Sequence, residues 1–279
     1  MTHALTPGLY IVATPLGNLG DLSARAAEVL RHADVIACED TRQTHKLLEH
    51  VGAATPTISY HEHNEAERTI VLLDRLKSGQ RVALVSDAGT PLVSDPGYRL
   101  VRAAIDAGVP VVPIPGPSAA VTALSASGLP TDAFFFGGFL PRKQGERRRL
   151  LEQLRDVPGT LVFYEAPHRI VEALQDVVAA LNDPPVVIGR ELTKIHEEFL
   201  RAPASQAKAA LAKRESIKGE ITLLIGPRTA VAPQETLEES VRRFEQEGMG
   251  PMAALKRAGH EHGLTKREAY ARLKKSKLT

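Results

Sequence analysis

One stretch of the sequence, residues 82–97, concentrates side chains that could bind a ligand or move a proton. It reads V-A-L-V-S-D-A-G-T-P-L-V-S-D-P-G, an apolar run that ends abruptly in polar and turn-forming residues. This pattern predicts a buried strand that ends at a loop. Gly89 and Gly97 allow the backbone of that loop to come close to a bound molecule. The polar side chains of the loop are Ser86, Asp87, Thr90, Ser94 and Asp95.

Four further strand candidates also end in polar or glycine- and proline-rich residues. In an open α/β sheet the carboxyl ends of parallel strands form the crevice where ligands bind. The sequence therefore predicts a crevice rich in carboxylates, hydroxyls and backbone groups, which suits an adenosine-type cofactor. The segments that would meet there are T-P-L-G-N, E-D-T-R, H-E-H-N, S-D-A-G-T-P and P-G-P-S, which begin at Thr14, Glu39, His61, Ser86 and Pro115.

Three other kinds of site find little support in these motifs. The first loop has the spacing G-x-x-G-D, and the chain contains neither G-x-G-x-x-G nor G-x-x-x-x-G-K-[ST], the usual nucleotide signatures. The H-E-H motif at His61 has no third ligand at metal spacing, so we expect no metal. No G-x-S-x-G motif is present to supply a serine nucleophile.

The elements that must position these loops form two α/β domains. Five strand candidates, residues 9–13, 35–38, 57–60, 82–85 and 111–114, alternate with helices. They predict a parallel α/β domain over residues 1–129. Closer strand spacing predicts a second α/β domain with a mixed sheet over residues 130–228. Ser118, and Asn64 together with Glu67, should cap the helices that they precede.

The rest of the chain predicts a linker over residues 229–235 and a helical, helix-turn-helix-like module over residues 235–279. Residues 248–279 carry eight lysines and arginines against two glutamates, a local net charge of +6. A second basic cluster, P-R-K-Q-G-E-R-R-R-L, begins at Pro141. Both clusters suit contact with phosphates, although each could also be a solvated helix face.

Composition fits a globular protein of the cytoplasm. The 279 residues are 43% hydrophobic and 24% charged, with a net charge of +2, so the whole chain has no strong field. The single cysteine, Cys38, excludes an internal disulfide and fits a reducing compartment. No apolar run reaches the length of a membrane span and the N-terminus lacks a signal pattern, so we expect no membrane association.

Eight motifs in order resemble the ribosomal RNA small-subunit methyltransferase I family, a branch of the tetrapyrrole methylase superfamily. They are L-Y-I-V-A-T-P-L-G-N-L-G-D, C-E-D-T-R, S-Y-H-E-H-N-E, V-S-D-A-G-T-P-L-V-S-D-P-G, P-I-P-G-P-S-A, F-Y-E-A-P-H-R, R-E-L-T-K-I-H-E-E and K-G-E-I-T-L-L-I. The resemblance implies a two-domain class III methyltransferase fold, a homodimer, and S-adenosylmethionine in the cleft between the domains. It further implies 2′-O-methylation of a cytidine ribose in the decoding centre of 16S ribosomal RNA in the small subunit.

The resemblance also implies which residues would contact the cofactor. The first loop departs from the G-x-G-P-G-D of porphyrin-precursor methylases, which favours the RNA branch. The tail matches the small helical module that family members carry. The implied cofactor contacts are Pro15, Leu16, Asp87, Ala88, Gly89, Thr90, Pro117, Ser118, Ala119, Ala166 and Glu220.

Methylation of a ribose hydroxyl needs in-line positioning and a group that accepts its proton. The candidate bases are Asp40, Glu165, Glu191 and Lys194, the lysine only if its pKa is lowered. The alternative for each is a salt bridge across the cleft. The candidate RNA contacts are Arg42, His168, Arg169, Arg142, Lys143, Arg147, Lys266 and Arg267.

Two other functions remain open at this point. The same fold could methylate a small molecule of the tetrapyrrole type, although two basic surface clusters exceed what such a substrate needs. The chain could also be a non-catalytic RNA-binding or ribosome-assembly factor, although a pure binding surface would not need so many polar strand ends.

Overall fold

A computed structural model describes residues 5–227, 235–262, 264 and 266–276. The chain divides into two compact units, Met1–Pro227 and Arg228–Thr279. Both sheets lie in the first unit. The predicted division into residues 1–129, 130–228 and 235–279 stays a prediction, and the predicted linker at 229–235 lies outside the described residues except for Glu235.

The first sheet has five parallel strands in the order β3-β2-β4-β1-β5. Helices follow the strands in alternation, as predicted. The strands are β1 (Gly8–Val12), β2 (Val35–Cys38), β3 (Thr57–Ser59), β4 (Arg81–Val85) and β5 (Val111–Ile114). The helices are α1 (Ala24–His32), α2 (Thr41–Val51), α3 (Glu65–Lys77), α4 (Tyr98–Asp106) and α5 (Ala119–Ser127), with a 3-10 turn at Leu19–Asp21.

The second sheet is mixed, with the strand order β6-β7-β10-β8-β9. Its first two strands are parallel and its other neighbours antiparallel. The strands are β6 (Phe134–Phe139), β7 (Thr160–Glu165), β8 (Pro185–Arg190), β9 (Glu198–Pro203) and β10 (Ile221–Ile225). The helices are α6 (Gln144–Gln153), α7 (Ile170–Leu181) and α8 (Ala204–Ala212).

Alternating residues of each strand bury opposite faces of both sheets, because side chains alternate along a strand. In β4, Ala83 and Val85 belong to one apolar cluster, whereas Val82 and Leu84 belong to another. In β7, Phe163 packs with α6–α8, whereas Val162 packs with α5. Helix α5 thus joins the first sheet to the second. The carboxyl ends of the first sheet's strands therefore lie near the second sheet.

Over its described residues the second unit contains three helices, α9 (Leu237–Gln246), α10 (Pro251–Glu261) and α11 (Lys266–Ser276). They enclose a small apolar cluster around Phe244 and Leu255. Thr236 and Glu239 form a reciprocal capping box at the start of α9. Among the described residues, no helix combines the length and apolar character needed to cross a membrane.

Two predicted caps differ from the structure. Asn64 precedes α3 but forms no side-chain cap, because its Oδ1 accepts the backbone N–H of His61 at 2.8 Å and closes the turn before the helix instead. Ser118 occupies the N-cap position of α5 without a capping bond from its side chain. The edge strands β6 and β9 were not predicted from the sequence.

Candidate active site

The loops after β1, β4 and β5 are held together by direct hydrogen bonds. Thr14 and Gly89 exchange two backbone bonds, of 2.8 and 3.0 Å. Thr90 Oγ1 donates to the carbonyl of Pro117 at 2.9 Å. The structure thereby brings together nine predicted cofactor residues: Pro15, Leu16, Asp87, Ala88, Gly89, Thr90, Pro117, Ser118 and Ala119.

The same loops meet at glycines that no larger residue could replace without a shift. Gly89 has a φ of 87°, and a Cβ there would lie 3.2 Å from Leu16 Cδ2. A Cβ on Gly116 would lie 2.9 Å from the Cβ of Ala13. These glycines therefore let the loops after β1, β4 and β5 pack closely against one another.

Three carboxyls gather at the ends of β2 and β4. Burial raises the pKa of Asp95 to about 6, and the charges of Glu39 and Asp87 add to the effect. Burial likewise raises the pKa of Glu39 and of Asp87. The charge of Asp87 adds to the rise at Glu39, and the charge of Asp40 adds to the rise at Asp87. We call Glu39, Asp87 and Asp95 the acidic group. Its unbalanced negative charge favours a cationic ligand.

The acidic group and the glycine-lined loops fit the predicted cofactor. S-adenosylmethionine has an adenosine that close backbone can read and a sulfonium and an ammonium that carboxylates attract. Asp87 Oδ1 already accepts the backbone N–H of Asp40 at 3.1 Å, which fixes its orientation. Among the described residues, no group of three or more histidines, cysteines, aspartates and glutamates could hold a metal ion.

The second sheet contributes the facing wall. Tyr164 of β7 stacks edge-on against Phe136 and Phe139 of β6. A Cβ on Gly138 would lie 3.2 Å from Ser94 Oγ, so the loop after β4 reaches this sheet. Ala166, the remaining predicted cofactor contact beside Glu220, follows β7 directly.

The predicted base Asp40 is already engaged. It is the N-cap of α2, where its side chain accepts the N–H of Arg42 at 2.8 Å. The Arg42 guanidinium also binds both carboxylate oxygens, at 3.0 and 2.7 Å. These bonds lower the pKa of Asp40 to about 2. Asp40 is therefore a helix cap, and its low pKa makes it a weak proton acceptor.

The predicted base Glu165 is buried, with 2% of its surface exposed. Its side chain shares the face of β7 that packs on α6–α8, away from α5. Oε1 accepts the N–H of Ala166 at 2.8 Å and lies 3.3 Å from Arg169 Nε. Oε2 has no hydrogen-bond partner among the described residues. Burial raises the pKa of Glu165, but a substrate could not reach it in this geometry.

Lys194, Glu191 and Glu220 form one ion-pair network. Lys194 Nζ donates to Glu191 Oε1 at 2.9 Å and to Glu220 Oε2 at 3.1 Å. Burial favours a lower pKa for Lys194, but the bonds to the two glutamates outweigh it and the pKa is raised. The backbone N–H of Glu220 and the bond from Lys194 lower the pKa of Glu191. The condition under which Lys194 could act as a base, a lowered pKa, is not met.

The predicted RNA contacts of the second sheet lie together but differ in exposure. Arg142, Lys143 and His168 are exposed. Arg147 is 1% exposed and binds the fully buried Asp176 at 2.6 Å. Its burial gives it a structural role in place of the predicted RNA contact.

Arg147 and Arg169 shape the segment that carries Arg142 and Lys143. Arg147 Nη1 donates to the carbonyls of Pro141 and Arg142, both at 3.3 Å. Arg169 Nη2 donates to the carbonyls of Leu140 and Pro141 at 2.7 and 3.0 Å. We call residues 140–143 the basic loop. The guanidinium groups of Arg147 and Arg169 thus fix the backbone of the basic loop through its carbonyl groups.

The other predicted RNA contacts lie elsewhere. Arg42 is exposed at the start of α2 and paired with Asp40. Arg267 is exposed on α11 in the second unit. Lys266 begins α11, and its side chain lies outside the described residues.

Sequence reasoning missed the part that Asp95 and Gly17 play. Asp95 stands in the same motif as Asp87, so its place in the loop was visible, but its burial beside Glu39 depends on tertiary packing. Gly17 faces Lys194, 177 positions further along the chain. No local pattern could have connected the two.

Comparisons with known proteins identify the family to which the chain belongs. The family described as Tetrapyrrole (Corrin/Porphyrin) Methylases matches residues 8–208. Proteins called "Ribosomal RNA small subunit methyltransferase I" from Halalkalibacterium halodurans and Mesorhizobium japonicum are 48% and 49% identical to the chain. The matches cover 94% and 99% of this chain and 93% and 94% of those proteins.

Solved structures share the fold at low identity. A diphthine synthase superposes with a TM-score of 0.62 at 19% identity, covering 79% of this chain and 90% of the other. The cobalt precorrin-4 methyltransferase CbiF gives 0.58 at 18%, covering 78% and 94%. The predicted fold class is confirmed. The chain belongs to the tetrapyrrole methylase family and, within it, to the ribosomal RNA small subunit methyltransferase I group.

Proposed function

We propose that this protein transfers the methyl group of S-adenosylmethionine to the ribose 2′-oxygen of a cytidine in the decoding centre of 16S ribosomal RNA. Family membership makes the chain a methyltransferase that uses S-adenosylmethionine and acts on small-subunit ribosomal RNA. Identity of 45–52% to relatives of that name is the observation that carries this assignment. The ribose oxygen, the cytidine and its place in the decoding centre are the finer part of the proposal.

The first sheet would bind the methyl donor. S-adenosylmethionine, when bound, supplies an electrophilic methyl group on a sulfonium cation. The loops after β1, β4 and β5 would hold its adenosine through backbone groups. The acidic group would attract its positive charges, because like charges lie together there and oppose one another's ionisation. Ala166 and Glu220 would contact it from the second sheet.

Within this site Asp95 is the carboxyl best suited to accept the ribose proton. A general base works best when its pKa lies near the working pH, and the pKa of Asp95 is raised to about 6. The four bases predicted from the sequence serve as a helix cap, a buried acceptor and an ion-pair network. Asp95 therefore replaces them in our proposal.

The exposed cations of the second sheet would bind RNA. Arg142 and Lys143 of the basic loop and the neighbouring His168 would contact phosphates, which position an RNA without reading its sequence. Arg42, Arg267 and Lys266 would add contacts elsewhere. Arg147 and Arg169 would act indirectly, by holding the basic loop in shape.

A homodimer and a cytoplasmic location belong to the same proposal. Both rest on the family resemblance. The two other functions, methylation of a small tetrapyrrole and RNA binding without catalysis, would each leave ribosomal RNA unlabelled in the experiment that follows.

The test is methylation of small ribosomal subunits from a strain that lacks this modification. The purified chain would be incubated with the subunits and methyl-labelled S-adenosylmethionine, and the RNA digested to nucleosides. Label on a cytidine ribose supports the proposal. Label on a base, or on another nucleoside, contradicts its finer part. Donor binding without any labelled RNA would overturn the RNA substrate itself.

A further inference from the structure

The side chain of Lys194 crosses the cleft and lies against Gly17, in the loop after β1. A Cβ on Gly17 would lie 2.7 Å from Lys194 Cε and 2.8 Å from its Cγ. Both distances are shorter than any real contact, so the absence of a side chain at position 17 is what makes room for the lysine stem. Gly17 follows Pro15 and Leu16, the predicted donor contacts of that loop.

The charged end of Lys194 is anchored in the second sheet. Its Nζ is bound by Glu191 and Glu220, at 2.9 and 3.1 Å. Glu191 Oε1 also accepts the backbone N–H of Glu220 at 2.9 Å. The side chain of Glu191 in turn lies against Gly219, where a Cβ would overlap its carboxyl. The lysine and its glutamate thus occupy a slot between two glycines, one from each side of the cleft.

The segment that carries Lys194 is held in a strained conformation. Glu191 and Thr193 have φ angles of 51° and 66°, in the left-handed region that non-glycine residues seldom adopt. Glu197 Oε2 accepts the N–H of Thr193 at 2.7 Å. Ile195, at the tip, is 97% exposed. Backbone strain of this kind persists only where surrounding contacts enforce it, and it concentrates at ligand clamps.

We propose that residues 191–197 form a strap and that Lys194 is a positioning residue, which presses the loop after β1 onto the bound methyl donor. The inference rests on the proposed use of S-adenosylmethionine. The lysine stem covers Gly17, and the two glutamates pull its ammonium back into the second sheet. Without the lysine, the loop after β1 would no longer be held against the second sheet. The affinity for the donor would therefore fall, whereas the methyl-transfer step itself would not require the lysine.

The test measures S-adenosylhomocysteine binding by calorimetry with the full chain. Lys194→Ala should weaken binding about tenfold, a change of about 1.4 kcal/mol. Gly17→Ala should weaken it at least as much, because a side chain at a φ of 120° strains the backbone in addition to displacing the lysine stem. Both changes undo the same contact. The double variant should therefore bind S-adenosylhomocysteine no more weakly than whichever single variant has the lower affinity. Independent sites would instead give roughly additive losses, about a hundredfold together.

Two controls match these changes. Gly108→Ala places a side chain at a positive φ of 70°, as Gly17→Ala does at 120°, but its Cβ would meet no atom within 4 Å. Arg102→Met removes an exposed ion pair with Asp106 on α4. Both should bind S-adenosylhomocysteine as the wild type does. If either lost as much affinity as Lys194→Ala, general destabilisation would explain the result and the strap would be refuted.

Lys194→Met separates the strap from a role as base. It keeps the stem on Gly17 and loses the charge, so it should bind more tightly than Lys194→Ala and keep the wild-type pH profile of methylation. Unchanged binding with turnover abolished would make Lys194 catalytic and overturn the proposal. Wild-type chain that fails to bind S-adenosylhomocysteine would refute the proposed function. Wild-type binding with unaffected variants refutes the strap alone.

Discussion

The carboxyl edge of the first sheet carries carboxylates, whereas the matching region of the second sheet carries guanidinium groups. Glu39, Asp87 and Asp95 lie close to one another, and their pKa values are raised because burial and like charge oppose ionisation. Arg147, in contrast, lies against the buried carboxylate of Asp176. One region therefore keeps its charge uncompensated, and the other neutralises its charge internally.

This difference indicates a difference in role. Uncompensated carboxylates cost stability in the free protein, and a cationic ligand would recover that free energy on binding. The buried Arg147–Asp176 pair is already satisfied and offers no free charge to a ligand. It fixes the basic loop, where Arg142 and Lys143 are exposed to an anionic partner and Lys143 also forms a surface ion pair with Glu146 at 3.2 Å. The cationic donor would thus bind where carboxylates lie together, and the anionic RNA would bind at a basic loop that a buried ion pair holds in shape.

The largest expected effect is that of Asp176→Ala. Asp176 accepts bonds from Arg147 at 2.7 Å and Arg148 at 2.6 Å. Removal of one partner of a buried ion pair leaves an uncompensated charge and costs about 3–5 kcal/mol. The free energy of unfolding, measured by urea denaturation, should fall by that amount.

The matched control is Asp106→Ala, which removes the partner of exposed Arg102. Surface pairs contribute little, so this loss should stay below about 1 kcal/mol. If both variants lost the same small amount, the Arg147–Asp176 pair would not be the anchor of this region. The charges beside the second sheet would then not depend on internal pairing for their stability.

Asp95→Asn should stabilise the protein, because the carboxyl has a pKa of about 6 in the fold against an ordinary 3.8. Between these values the folded chain binds more protons than the unfolded chain, so stability falls as pH rises through this window. Above it, ionised Asp95 costs roughly 1–2 kcal/mol, because solvent screens part of the effect at a side chain that is only partly buried. Unfolding at pH 7.5 should show that gain for the variant, and unfolding at pH 3.5 should show none.

The same variant should methylate RNA at least tenfold more slowly, since a pKa-matched base typically contributes a factor of about 10²–10⁴. Gain of stability with loss of turnover would mark Asp95 as a residue kept for function at the expense of the fold. If the variant were more stable and kept full turnover, Asp95 would not be the group that accepts the ribose proton. Another proton acceptor would then have to be sought.

The sequence predicted the first sheet well and the ion pairs badly, for a physical reason. Parallel strands read as short apolar runs, and their carboxyl ends must meet, so T-P-L-G-N and S-D-A-G-T-P could be placed in one crevice. Arg147 looked like one of three exposed arginines. Its spacing to Leu151 places it on the buried face of α6, a helical signal that the charge run concealed.

Other features depended on contacts between distant parts of the chain. β6 contains two glycines and a register shift, which disguise an edge strand. Glu191 lies three positions before Lys194, but its other partners, Glu220 and Gly17, are far away in sequence, so its role could not be read from the L-T-K-I motif. Burial decides whether a carboxylate is a cap, a buried acceptor or a base, and burial belongs to the tertiary structure.

Substitution of Arg142 and Lys143 by alanine should weaken RNA binding without affecting the fold. If each cation neutralises one phosphate, the slope of log K against log salt should become shallower by about 0.7–0.9 per contact. Binding to small subunits would be measured by filtration at several salt concentrations. Lys77→Ala with Lys213→Ala, two exposed lysines at the ends of α3 and α8, should leave the slope unchanged if the basic loop is the RNA surface.

Asp87→Asn tests the acidic group with the smallest change. Asparagine keeps an oxygen for the N–H of Asp40 and removes only the charge. The donor carries a positive sulfonium, whereas S-adenosylhomocysteine has a neutral sulfur, so the ratio of their dissociation constants reports the local field. The attraction between the sulfonium and one partly screened carboxylate should contribute about 0.7 kcal/mol. Its loss should therefore weaken binding of the donor about threefold relative to S-adenosylhomocysteine. An equal loss for both ligands would mean that Asp87 holds a part of the donor other than its sulfonium.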